Sequence, residues 1–389
     1  MRINRFAFKD LSTGWQLDEA SFGSFDLLVG VSGVGKTKVV KALTRVQRFV
    51  TDDKFDPGAM KWTLDFEHDG VEYHWEGETE QSGELARSEA FVVRERLIQG
   101  SDIIAERGPD GALFQGNPLP RLTRADSLVT LLAEEKALAG VQGGLARFLD
   151  TDIYPDLRLS VPARSRAQLE EVRTQWEHIS ARTNQSLPVQ IASLAKSGRP
   201  PLLINSAMLL LWAYCDCSGD TPEFRDIKAR FTDIFPTVED IQLSWTESGS
   251  ASGDDVLELS IRERGVSHWI PAREISSGMR RTIALLLTAH YAPPGTVVII
   301  DELENSLGVN CMSEVLDLLQ SRTDCQFIAT SHHPYIINNL PVATWKLVRR
   351  HGSRVRIDPV TSLPSFDPGS RHQAFLKLIN LPEFEDGIT

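Results

Sequence analysis

Gly30-Val31-Ser32-Gly33-Val34-Gly35-Lys36-Thr37 decides how this chain is read. The octapeptide has the form G-x-x-x-x-G-K-[ST], a phosphate loop. An apolar strand pattern, Phe25 to Val29, runs into it, and a helical pattern, Lys36 to Phe49, follows. Gly30, Gly33 and Gly35 let the backbone curl so that successive N–H groups point inward as an anion nest, which Ser32 and Val34 complete. The dipole of the following helix adds positive potential at the same place. Lys36 is expected to reach the β- and γ-phosphates and Thr37 to place its hydroxyl on Mg²⁺. The stretch therefore predicts a nucleoside-triphosphate site.

The rest of the chain is compatible with that site. Its 389 residues carry a net charge of −12, with 41% hydrophobic and 24% charged residues. An acidic chain does not bind nucleic acid through its overall field. Local basic clusters do occur, at Arg262, Arg264 and Arg273, at Arg280-Arg281, and from Arg349 to Arg356. The last reads as a solvated sheet edge or, less readily, as a DNA contact. No apolar run approaches the roughly 20 residues of a membrane span. Met1-Arg2-Ile3-Asn4 opens no signal-peptide core, so a cytoplasmic protein with no membrane partner is expected. Cys215 and Cys217 form a C-x-C pair without a second pair at metal-ligand spacing, and ordinary thiols are the reading.

Three regions follow from the pattern. Residues 1–150 form a β-rich lobe with the phosphate loop, and His68-Asp69-Gly70 and Gly108-Pro109-Asp110-Gly111 signal hairpins in it. A helix is expected from Ala125 to Leu138, capped by Asp126 or Thr123. Residues 151–240 read as a helical lid, with helices over 165–183, 204–215 and 222–235, the last capped by Thr221 and started by Pro222. Residues 241–389 return to α/β alternation: Leu257 to Ile261 pairs with Val266 to Trp269 across Arg264-Gly265. Helices over 277–291, 309–321 and 334–340 then alternate with apolar strands over 297–300 and 327–330.

Two of these strands end in chemistry. Thr296 to Ile300 delivers Asp301 and Glu302 to the carboxyl edge of a sheet, where open α/β folds bind ligands. Asp301 suits a Mg²⁺ shell, and Glu302 suits a base that orients the attacking water. Gln326 to Thr330 ends in Ser331-His332-His333, where His332 can touch the γ-phosphate or the water. Ile275-Ser276-Ser277-Gly278-Met279 opens the helix before the acidic strand, and a helix start of small residues is again an anion site.

In this order the four elements resemble the ABC-type ATPase head. Phosphate loop and acidic strand match Walker A and Walker B. Ile275 to Met279 is similar to the signature L-S-G-G-Q, with Ser277 at the first Gly and Met279 at the Gln. His332 matches the switch histidine. Glu304-Asn305-Ser306-Leu307 resembles the Walker B extension of RecF, SMC and OLD-like ATPases, not of transporters. The resemblance implies a P-loop NTPase fold with a mixed sheet, ATP and Mg²⁺ as cofactors, and ATP hydrolysis. It implies a homodimer or higher even oligomer, in which Ser276, Ser277 and Gly278 cap the γ-phosphate held by the neighbour and Asn305 to Leu307 lie at the seam. Gln99 is its expected Q-loop glutamine, a further metal ligand. Coiled-coil arms and a Toprim nuclease domain are not seen. The chain thus resembles stand-alone ATPases that serve a separately encoded effector, such as a nuclease in phage defence. A RecF-like DNA-repair ATPase and an ATP-gated scaffold with little turnover are the alternatives.

Overall fold

The computed structural model describes residues 1–52, 55–82, 89–120, 123, 125–132, 135–150, 160–162, 209–210, 213–214, 217, 220–247, 255–363, 366, 371–380 and 384. The first strands are β1 (Arg2–Asp10), β2 (Gln16–Ser21) and β3 (Phe25–Val29), and α1 (Lys36–Thr51) follows the phosphate loop. An antiparallel run comes next: β4 (Met60–His68), β5 (Val71–Ser82), β6 (Glu89–Gln99), β7 (Asp102–Gly108), β8 (Gly111–Phe114) and β9 (Asn117–Pro118). Then come α2 (Leu128–Leu131), α3 (Ala139–Leu145), β10 (Phe148–Asp150), β11 (Ser160–Pro162), α4 (Pro222–Ile234), β12 (Val238–Glu247), β13 (Asp255–Glu263) and β14 (Ile270–Pro271). The last third holds α5 (Ser277–Tyr291), β15 (Val297–Ile300), α6 (Val309–Ser321), β16 (Gln326–Thr330), α7 (Pro334–Asn339), β17 (Trp345–His351), β18 (Arg354–Pro359) and α8 (Arg371–Ile379).

Among the described residues one sheet has the order β10-β15-β16-β3-β17-β18-β2-β1-β4-β5-β6-β7-β8-β9. Its first five strands are parallel neighbours, and the far end is antiparallel. The parallel strands are buried on both faces, which is why their sequences run apolar without alternation. Alternate residues still sort to opposite sides. Leu27, Val29, Val298, Ile300, Phe327 and Ala329 pack with α4, α5 and α6. Leu28, Val297, Ile299 and Ile328 pack with α1 and the antiparallel lobe. A smaller sheet, β11-β13-β12 with β14 on β13, stands apart.

Several expectations are corrected. The segment 125–138 holds only the short α2 and a 3-10 turn at Lys136–Leu138, and α3 begins after it, at Ala139. Its cap is Ser127, which accepts from Val129 N–H and whose hydroxyl is tied to Glu95. The partner of β13 is β12, with Ile270–Pro271 on its other side, because the turn after Glu263 places 266–269 off the ladder. The arginines from 349 to 356 lie on β17 and β18, which sit inside the large sheet and not at its edge. The helix after Thr221 is found at Pro222–Ile234, with the Thr221 hydroxyl accepting from Phe224 N–H. The helix expected over 165–183, most of that over 204–215, and Cys215 lie outside the described residues.

The antiparallel lobe is held by aromatic packing. Trp62 and Trp75 meet edge to face with centroids 5.1 Å apart, and Phe49 of α1 meets Trp62 edge to face at 5.6 Å. Gly77 makes room for this, since a Cβ there would lie 2.4 Å from the Trp62 ring. Gly77→Ala should therefore destabilise the fold by about 1–3 kcal/mol through overpacking. Thermal unfolding measures it, and an unchanged melting temperature would show that Trp62 can move aside.

Candidate nucleotide site

Topology assembles the site. The loop after β3, the acids after β15 and the histidine after β16 all emerge at the carboxyl edge of adjacent parallel strands. β16 lies between β15 and β3, so its end can bridge the other two.

The loop has the geometry of an anion cradle. Gly30, Gly33 and Gly35 have φ of 150°, 83° and 111°, values a side chain would oppose. Gly30 is also hemmed in, because a Cβ would fall 2.7 Å from the Val348 carbonyl oxygen. Val34 is buried and anchors the loop, whereas Ser32 and Gly33 are exposed. Gly35 precedes α1 and no side chain caps the helix, so its first N–H groups are left for a ligand. Thr37 stands half-buried on the first turn. The Lys36 ammonium donates to the carbonyl oxygens of Gly30 (2.7 Å) and Val31 (3.2 Å). Burial pushes its pKa down, while Glu304, Asp301 and Glu302 act in the opposite sense. Three carboxylates therefore gather within electrostatic reach of the loop lysine.

Thr330 organises the acids. Its hydroxyl donates to Asp301 Oδ1 at 2.6 Å and accepts from Glu302 N–H at 2.8 Å. Glu302 takes a left-handed φ of 47°, which swings its exposed side chain out of the strand line. Arg281 of α5 donates to the Asp301 carbonyl oxygen at 3.3 Å. The signature helix and Walker B are thereby tied together. Ser276 and Ser277 are exposed, and the Ser276 hydroxyl accepts from Met279 N–H at 3.2 Å as the cap of α5. Gly278 abuts the next loop: a Cβ there would lie 2.8 Å from the Ser306 carbonyl oxygen.

His332 is exposed at the end of β16, and its Nδ1 lies 2.8 Å from Glu304 Oε1. His333 turns away, its Nδ1 accepting from Tyr335 N–H at the start of α7. Glu304 and Thr330 are the site residues that the motif reading left without a role. The signal for the first was its place in Asp-Glu-Leu-Glu, and for the second its place before Ser331-His332.

Gln99 does not join them. It ends β6, paired with Tyr73 beside the β4–β5 turn at Asp69-Gly70. Asp69 neighbours the Met1 amino group, which donates to the Gly295 carbonyl oxygen just before β15. Gln99 therefore sits toward the amino ends of the parallel strands, opposite the phosphate loop. The strand flanking Walker B is instead β10, and residues 151–159 after it lie outside the described residues.

The donors present suit a magnesium nucleotide. Mg²⁺ is commonly held by one or two protein oxygens with phosphates and water completing its shell, and Thr37 and Asp301, both at the carboxyl edge of the parallel strands, would be the residues to hold it. Among the described residues no cluster of three or more His, Cys, Asp or Glu forms a separate metal cage.

Residues 146–338 match the family described as AAA domain, putative AbiEii toxin, Type IV TA system. No curated protein matches the chain. Among solved structures, it is similar to an SmcHead bound to the C-winged helix domain of ScpA, with 12% identity and a TM-score of 0.47, covering 92% of this chain and 97% of that one. It is similar also to an Smc head domain with an extended coiled coil bound to the C-terminal domain of ScpA, derived from Pyrococcus furiosus. There the identity is 13% and the TM-score 0.44, covering 92% of this chain and 96% of that one. The sheet order and the nucleotide elements gathered at one edge fit the ABC-ATPase head fold, and residues 146–338, just under half of the chain, match the AAA family named above.

Proposed function

We propose that the chain hydrolyses ATP with Mg²⁺ between two copies of itself and so regulates a separately encoded effector, a nuclease of phage defence. The observation that carries hydrolysis is the Thr330 bridge, which presents Asp301 and Glu302 beside Lys36. Lys36 and the N–H groups of α1 bind phosphate, Thr37 and Asp301 hold the cation, and Glu302 orients water. Closure between copies is supported by exposure: Ser276, Ser277, Glu302, Asn305, Ser306 and His332 are all exposed. The matched family's description, a putative toxin of a toxin–antitoxin system, supports a role in cellular defence. DNA clamping has less support, because Arg349 and Arg356 are bound to Asp358 and Arg354 to Asp18.

The test is Mg²⁺-dependent ATP hydrolysis by the purified chain, with light scattering in the same samples. Turnover and association that rise together support the reading, and neither occurring refutes it. Ser276→Arg should keep ATP bound but abolish both association and turnover, since its side chain fills the space meant for a neighbour's γ-phosphate. Loss of the cap costs about 1 kcal/mol, a small penalty for a helix whose other face is buried. A Ser276→Arg protein that assembles and hydrolyses like the parent would exclude a composite site.

A further inference from the structure

Glu304 stands in a position that Walker chemistry does not require. Its side chain is only 9% exposed, although it follows an exposed acid by two residues. One oxygen, Oε1, takes two contacts from a single residue: the His332 backbone N–H at 2.9 Å and the His332 ring Nδ1 at 2.8 Å. The other, Oε2, is buried and has no hydrogen-bond partner among the described residues. Of the acids acting on Lys36, Glu304 acts most strongly.

The chemistry of this contact fixes a proton. An ionised carboxylate can only accept, so Nδ1 must carry the hydrogen. Which ring nitrogen is protonated is set by the bond that the other one makes. A neutral His332 then presents Nε2 as an acceptor from a ring that is 58% exposed. Because the same oxygen also holds the backbone N–H, both the ring and its attachment are pinned. We propose that Glu304 is the positioning residue for His332: it fixes the tautomer and aim of the imidazole, so that Nε2 faces the water that Glu302 orients. This rests on the reading of the site as an ATPase. It adds a link that the reading lacks, from the loop after Walker B to the histidine after the neighbouring strand.

The test uses the full chain labelled with ¹⁵N-histidine, with the His332 signals identified by their loss in His332→Gln. Long-range proton–nitrogen spectra without nucleotide should show His332 protonated at Nδ1. In Glu304→Ala the proton should move to Nε2, and kcat should fall about 10–100-fold, as for outer-shell partners of catalytic groups. ATP affinity should stay within about twofold, because the interaction serves the reacting state and not ground-state binding. Glu304→Gln retains an acceptor oxygen and should restore the Nδ1 proton and most of the turnover. A Glu304→Ala spectrum identical to the parent's overturns the proposal. So does a kcat at the parent level, or an equal loss in both Glu304 variants. A parent that shows the Nδ1 proton, loses it in Glu304→Ala, and yet hydrolyses no ATP refutes the ATPase reading while leaving the Glu304–His332 link standing.

Discussion

Glutamine at position 302 will leave ATP bound and stop its turnover. The side chain is exposed, so an isosteric amide disturbs no packing. Its backbone N–H remains on Thr330, and Asp301 keeps its own bond from the same hydroxyl. Only the ability to accept a proton from water is removed. Loss of a positioned general base costs about 10²–10⁴-fold in rate. Single-turnover hydrolysis with a parallel binding measurement decides it. Parent-like hydrolysis would transfer the water to another group, with His332 the alternative.

Lys36→Ala acts on the other side of the equilibrium and should abolish nucleotide binding. The ammonium now rests on the Gly30 and Val31 carbonyl oxygens, at the mouth of the cradle. It has three carboxylates around it, so its removal leaves both a phosphate and a nest of acids uncompensated. Truncating one partner of a buried, hydrogen-bonded charge pair costs about 2–5 kcal/mol. That corresponds to a weakening of about 30- to 5,000-fold, and the repulsion of ATP by the three acids adds to it. Calorimetric titration with ATP and Mg²⁺ reads it directly. Undiminished affinity would place the nucleotide elsewhere on the chain.

The parts of this site that could be read in the sequence are those whose chemistry is local. The octapeptide at Gly30 to Thr37 carries its own geometry, and the helices Ser277–Tyr291 and Val309–Ser321 have the bounds that their periodicity gives. The acids after Ile300 and the histidine after Thr330 announce themselves because each ends a short apolar run. Strand order was not legible. The place of Gln99 after a strand suits a Q-loop, but whether that strand ends beside the phosphate loop or opposite it depends on pairings across the whole sheet. Strand β12 was hidden for a similar reason. Its residues, such as Glu239, Asp240 and Glu247, are too polar to read as strand until β13 supplies the partner. Glu304 belongs to a motif that gives it no role, since nothing local shows that its carboxylate turns inward toward His332.

The place of β3 between β16 and β17 has a consequence for how the protein is made. On the ribosome the strand that carries the phosphate loop, residues 25–29, emerges long before both of its hydrogen-bonding neighbours, at residues 326–330 and 345–351. Until residues 326–351 are synthesised, both edges of that strand lack their partners. Bare edges invite pairing with other chains, and long-range closure of this kind is slow. Nucleotide-binding competence is thus a late event in the life of each chain, reached only after both partner strands have been made.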